Sequence, residues 1–190
     1  MSRMIAPGPM LDACRYWYPE PLRTRKLILA GCAYLRAALD GNGPGQMAGF
    51  EEFADTLTAH PDEIQAERRL GSGPDQFAYN ALWRFGPPIV VGSSHGDLLN
   101  GITLCVFGAL NEDASKRSPE VTRFDPNWRT EHTVGLALRM YDDRDFAAMP
   151  ILADALEEAG CDSQDILTHC REPGVHVRGC WVVDLVLGKA

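Results

Sequence analysis

Five side chains able to hold a soft metal ion fall between Cys161 and Cys180: Cys161, His169, Cys170, His176 and Cys180. Zinc takes Cys thiolate and His nitrogen, four of them in a tetrahedron. Spacing sorts the five. His169 and Cys170 are neighbours, so on a helix they point about 100° apart and one ion would rarely take both. If the chain is helical from His176, then His176 and Cys180 stand at i and i+4 and chelate together. Cys170 and Cys161 complete the set. The candidate metal ligands are therefore Cys161, Cys170, His176 and Cys180, although no C-x2-C knuckle is present.

A competing reading makes the same stretch, HCREPGVHVRGCW, a structural corner. Cys170 and Cys180 are then core residues beside Trp181. Pro173 stops one helix, Gly174 takes the left-handed turn, and a last helix docks through Val177, Cys180, Trp181 and Leu185. On this reading there is no cofactor; on the other the cofactor is zinc.

Other clusters carry less chemistry. Ser93-Ser94-His95-Gly96-Asp97 offers hydroxyl, imidazole and carboxylate, but members of a triad converge from separate segments. An N-cap at Ser94 or Asp97 explains that loop without catalysis. Gly41-Asn42-Gly43-Pro44-Gly45 lacks the Lys and hydroxyl of a phosphate loop. The acidic runs at Asp142-Asp143-Arg144-Asp145 and Glu157-Glu158 lack the spacing of a calcium loop and read as solvated helix ends. No catalytic residue is assigned, and a non-enzymatic role is the expectation.

The elements that must position these residues are helical. Leu27, Ile28, Gly31, Tyr34, Leu35 and Ala38 recur at three and four, predicting a helix from Pro21 to Leu39. Further helices are expected at Pro9–Trp17, Phe50–Thr58, Pro61 onward and Asp75–Phe85, with a short strand at Ile89–Val91. The apolar run Leu98–Leu110 predicts a buried helix. Beyond it, 111 to 130 is polar, bears Pro119 and Pro126, and reads as a linker. Helices follow from Thr133, from Pro150 to Glu158, and from a capping box at Asp162 through Cys170. Val177–Gly188 fits either period, and its helical neighbours favour helix. The expected fold is mainly α, an irregular multi-helix bundle in two packed lobes. The lobes are 1–112 and 131–190, with 113–130 between them.

Composition sets outer bounds. The chain has 190 residues, 45% apolar and 23% charged, with a formal net charge of -8. That balance argues against nucleic acid, which needs clustered Lys and Arg. Arg23-Thr24-Arg25-Lys26, the densest basic group, reads as a solvated helix face. No apolar run approaches the roughly 20 residues of a membrane span. A cytoplasmic location is expected, where the six cysteines stay thiols or ligands. Cys14, Cys32 and Cys105, alone among apolar neighbours, read as core.

The tail "PILADALEEAGC…HCREPGVHVRGCWVVDLVLGK" resembles a family of hypothetical proteins from planctomycete-type bacteria. The likeness covers residues 132 to 189, and more weakly the opening "PMLDACRYWYPEPLRTRKLILAGCAYLR". Glu172 and Val175 depart from its pattern, which has Gly and Pro there, and the middle of the chain departs throughout. The resemblance implies an accessory or adaptor protein acting through protein contacts, with no catalytic residue to carry over. Tyr16, Trp17, Trp83, Phe85 and Trp128, near element ends, are candidate contact residues for such a partner.

Overall fold

The structure is a computed structural model that describes residues 18, 22–38, 46–59, 94–108 and 124–189. Among these the fold is mainly α, with seven α-helices and no strand. They are α1 (Leu22–Ala38), α2 (Gln46–Ala59), α3 (Ser94–Phe107), α4 (Glu131–Asp143), α5 (Met149–Glu158), α6 (Gln164–Arg171) and α7 (Trp181–Leu187). A 3-10 turn at Pro126–Trp128 precedes α4. The helices expected at Pro9–Trp17, after Pro61 and at Asp75–Phe85, and the strand at Ile89–Val91, lie outside the described residues. No helix among the described residues is long and apolar enough to cross a membrane.

Helix α1 is the hub of the first half. Ile28, Leu29, Cys32 and Leu35 pack with Ala54 of α2. Ala30 and Tyr34 pack with Ile102 and Val106 of α3. A helix gripped on two sides needs apolar residues around much of its girth, which blurs a single amphipathic stripe. The second half packs α4, α5 and α6 around α7, with Trp128 beneath them. Six consecutive residues of α7, Trp181 to Val186, are buried. A segment buried all round loses both the 2.0 and the 3.6 period, which is why its sequence fitted strand and helix alike.

Local chemistry explains the ends. Thr130 caps α4, its hydroxyl accepting from the Thr133 N–H. Arg144 closes the same helix in the left-handed region, at φ 56°. Helix α6 begins after Ser163, with no side-chain cap bond, so the expected capping box at Asp162 does not form. Helix α3 begins at Ser94, which puts Asp97 inside the first turn rather than at the cap. The chain from Pro173 to Cys180 is not helical, so the expected helix from His176 is corrected to one starting at Trp181. The left-handed glycine is Gly179, at φ 94°, and not Gly174.

A second correction concerns charge. Arg25 and Lys26 are not solvated; they are 0% and 1% exposed. Both reach Asp184, itself wholly buried in the middle of α7. Arg25 makes a two-pronged bond, Nη1 to Oδ2 at 2.6 Å and Nη2 to Oδ1 at 2.9 Å. Lys26 Nζ donates to Asp184 Oδ2 at 3.1 Å and to the Val106 carbonyl at 2.8 Å. Arg25 also donates to the Tyr141 hydroxyl at 2.7 Å, and Tyr141 donates on to Asp55. Arg178 binds Asp55 at 2.8 Å and lies over the Tyr141 ring. Glu51, also buried, takes Arg36 and Arg144. Residues from 25 to 189 thus meet in one polar seam, so α1, α2, α4 and α7 are locked together across the length of the chain.

Removing one partner of a buried ion pair leaves the other charge uncompensated. Asp184→Ala should cost about 3–5 kcal/mol by urea denaturation, because buried Lys26 loses its counter-charge and buried Arg25 keeps only its longer pair with Asp55. Replacing Arg171, whose pairs with Asp154 and Glu157 lie on the surface, should leave the urea midpoint within error of the wild type.

Asp55 makes the seam pH-sensitive. Burial raises its pKa, but the Tyr141 hydroxyl and the charges of Arg25, Lys189 and Arg178 outweigh burial and hold the carboxyl below its ordinary value. A carboxyl lowered on folding adds stability that is complete above the unfolded value of about 3.9 and is lost as pH falls through the folded one. The stability gap between wild type and Asp55→Asn should therefore be constant near neutrality and shrink below about pH 4. Thermal melts across that range measure it; a gap that widens towards acid would contradict the sign.

Candidate metal centre

Four donor atoms from three segments converge where α3, α6 and the entry of α7 meet. Cys105 comes from α3, His169 from α6, and His176 and Cys180 from the non-helical stretch that leads into α7. Each atom lies within 4.8 Å of the other three. His169 Nε2 is 3.2 Å from Cys180 Sγ, and Cys105 Sγ is 4.0 Å from His176 Nδ1. Around a tetrahedral zinc, with bonds near 2.3 Å to sulfur and 2.0 Å to nitrogen, the donors stand roughly 3.3–3.8 Å apart. No pair needs to contract by more than about 1.5 Å to meet that figure. The two cysteines are buried and the two imidazoles half-buried.

Of the residues expected from the sequence, His176 and Cys180 belong to this group. Cys161 and Cys170 lie outside it, in the hydrophobic core of the second half. Cys105 and His169 take their places. His169 and Cys170 do point apart, as adjacent helical residues must. The imidazole turns to the donor group, and the thiol to the core. Because His176 and Cys180 are not on a helix, they do not chelate as an i, i+4 pair; a turn at Arg178-Gly179 folds them together instead. Cys105 was out of reach of any local pattern, since 75 residues separate it from Cys180.

Glycine makes the approach possible at two points. A Cβ on Gly179 would come within 2.9 Å of Leu29 Cδ1, on a backbone at φ 94° that side chains rarely adopt. A Cβ on Gly101 would press on Val175 at 3.2 Å, so a bare backbone at that turn of α3 lets the loop lie against it. The seam then fixes the distance. Lys26 Nζ, held by Asp184, binds the carbonyl of Val106 and lies 3.5 Å from that of Gly179. These residues are the chain neighbours of Cys105 and Cys180.

The electrostatics separate the thiols. Burial opposes ionisation of Cys180, but bonds from Cys105, His169 and His176 outweigh it and hold the thiol well below its ordinary value. Cys105 moves the opposite way, raised by burial and then by its bond to Cys180. The opposite shifts set the two thiols apart, with ionisation favoured at Cys180 and opposed at Cys105. The Val177 N–H donates to Cys105 Sγ at 3.4 Å. Elsewhere burial raises the thiols: Cys170 and Cys161 both rise, and Cys32 is pushed up to about 12. Among the described cysteines, ionisation, which metal binding requires, is favoured only at Cys180.

A cavity of about 330 Å³ opens beside the group. Cys105, His169 and His176 form part of its wall, with Trp181, Asp165 and Glu172 among the others. The Trp181 indole N–H is buried without a partner among the described residues. Cys180 does not line the cavity; it sits behind.

Of the expected contact aromatics, Trp128 is buried, 7% exposed. Tyr16, Trp17, Trp83 and Phe85 lie outside the described residues, as does Ser93 of the hydroxyl-imidazole loop. Comparison with protein-family models, with curated proteins and with solved structures gave no match.

The Gly179 contact yields a direct test. Gly179→Ala should destabilise the fold by about 1–3 kcal/mol, from the left-handed strain and the clash with Leu29. Gly174→Ala, where a Cβ would meet nothing within 4 Å, should stay near the wild type in the same thermal melt.

Proposed function

We propose that this chain is a zinc-stapled helical protein of the accessory type, in which Cys105, His169, His176 and Cys180 hold a structural ion. One observation carries the reading: four donors of the right kind, from three separate segments, converge to within 4.8 Å. Two thiolates with two imidazoles in a tetrahedral arrangement suit zinc better than calcium or magnesium, which prefer oxygen. Four protein ligands fill the coordination shell, and a filled shell marks a structural rather than a catalytic ion. The ion would tie α3 to α6 and to the entry of α7. Protein contacts remain the proposed mode of action. The exposed large apolar residues, Leu104, Leu138 and Ile151, lie on three different helices, which gives no single docking stripe among the described residues.

Purified chain should carry one zinc by elemental analysis. A strong chelator should lower the melting temperature by about 10 °C, since an ion at a thousand times its Kd adds about 4 kcal/mol. Cys180→Ala and His169→Ala should abolish both the zinc and the chelator response. Cys170→Ala should keep both. Zinc-free protein whose melting ignores zinc and chelator alike would refute the reading.

A further inference from the structure

The sulfur pair has a second chemistry, one that stands on the two thiols and not on the ion. We infer that Cys105 and Cys180 form a peroxide-sensitive dithiol: hydrogen peroxide reaching Cys105 through the cavity oxidises it, and Cys180 closes on it as a disulfide. Only the consequence, that this state expels zinc, rests on the metal reading.

Geometry supports each part. The sulfurs lie within 4.8 Å of each other, and a disulfide of about 2.05 Å requires them to close by under about 3 Å. Cys180 precedes α7 in a non-helical conformation and follows a left-handed glycine, so its side chain is not held in a helical row. Cys105 lines the cavity wall and Cys180 lies behind it. That arrangement divides the work into a sulfur the oxidant meets and a sulfur that resolves. The other described cysteines, Cys32, Cys161 and Cys170, are buried and do not line the cavity.

The step balances with peroxide as the oxidant. Cys180 Sγ, within 4.8 Å, takes the Cys105 proton as the general base. The Cys105 thiolate then attacks one peroxide oxygen; an S–O bond forms, the O–O bond breaks and hydroxide leaves. Hydroxide takes the Cys180 proton and becomes water. The Cys180 thiolate attacks the Cys105 sulfenic sulfur; the S–S bond forms and a second hydroxide leaves. Two electrons pass from two sulfurs to one peroxide. The disulfide has lost both thiolate donors, so it and the zinc ion exclude each other.

The test uses the full chain, reduced and metal-free, with one equivalent of hydrogen peroxide. The expected result is a loss of about 2 Da, reversed by dithiothreitol, and a non-reduced peptide map linking Cys105 to Cys180. Cys105→Ser should lose that link and Cys170→Ser should keep it. Should Cys105→Ser not fold, the wild-type map decides alone. A link from Cys180 to Cys170, Cys161 or Cys14, or oxygen addition with no cross-link, overturns the inference. In a second arm the chain is loaded with zinc and mixed with peroxide and a chromogenic chelator; zinc should appear in step with the disulfide. A chain that forms this disulfide but never takes up zinc leaves the dithiol standing and removes the proposed staple. A chain that binds zinc but forms no such link does the reverse.

Discussion

Asp184 is one carboxylate in the middle of a seven-residue helix, with no exposure to solvent, and two cations come to it. Most of the architecture depends on this meeting. Taking three charges out of water costs several kcal/mol per ion, and only close geometry repays it. The geometry here is close: a two-pronged guanidinium, an ammonium at 3.1 Å, and the Tyr141 hydroxyl and Asp55 carboxylate taking further guanidinium N–H groups. Such an arrangement tolerates little displacement of α1 relative to α7. Hydrophobic packing alone would allow helices to slide; a buried ion pair specifies one register.

That register reaches the cysteines through Lys26. Its ammonium binds the backbone beside Cys105 and lies close to that beside Cys180, so the charge that anchors α7 also spaces the sulfur pair. The Val106 carbonyl belongs to the last turn of α3, where carbonyls have no partner within the helix. The next carbonyl, of Phe107, takes the Tyr18 hydroxyl at 2.9 Å. The end of α3 is thereby fixed by side chains from the first part of the sequence. The donor group is assembled on a helix terminus held from behind, with imidazoles on the open side and Cys180 on the closed side.

The distribution of charge follows from the same seam. A formal net charge of -8 coexists with a charge-balanced interior, because Arg25 and Lys26 are taken inside with Asp184 and Glu51. Asp55 and Glu51 accompany them, half-buried and buried, and draw in Arg178, Arg144 and Arg36 from the edge. The acidic residues left over at helix ends, such as Asp142, Asp143 and Glu158, stay exposed. Overall acidity therefore describes the surface and says little about the inside.

The sequence by itself determined the helical class and the positions of α1 to α6 to within a few residues, and it offered His176 and Cys180, two of the four clustered side chains, as candidates. Those features are local: apolar spacing, prolines at helix starts and glycines past helix ends act over one or two turns. It also told that His169 and Cys170 diverge. Tertiary structure decided which of the two faces the Cys/His cluster. It brought in Cys105, from a helix whose sequence gives no sign of a ligand. It turned Arg25 and Lys26 inward, although their spacing is that of an ordinary wet helix face. It moved the start of α7 from His176 to Trp181, because the loop had to fold back on α1 and α3 before a helix could begin. A donor 75 residues away and a counter-charge 159 residues away leave no periodic trace in the chain, since only packing brings them within a few ångströms.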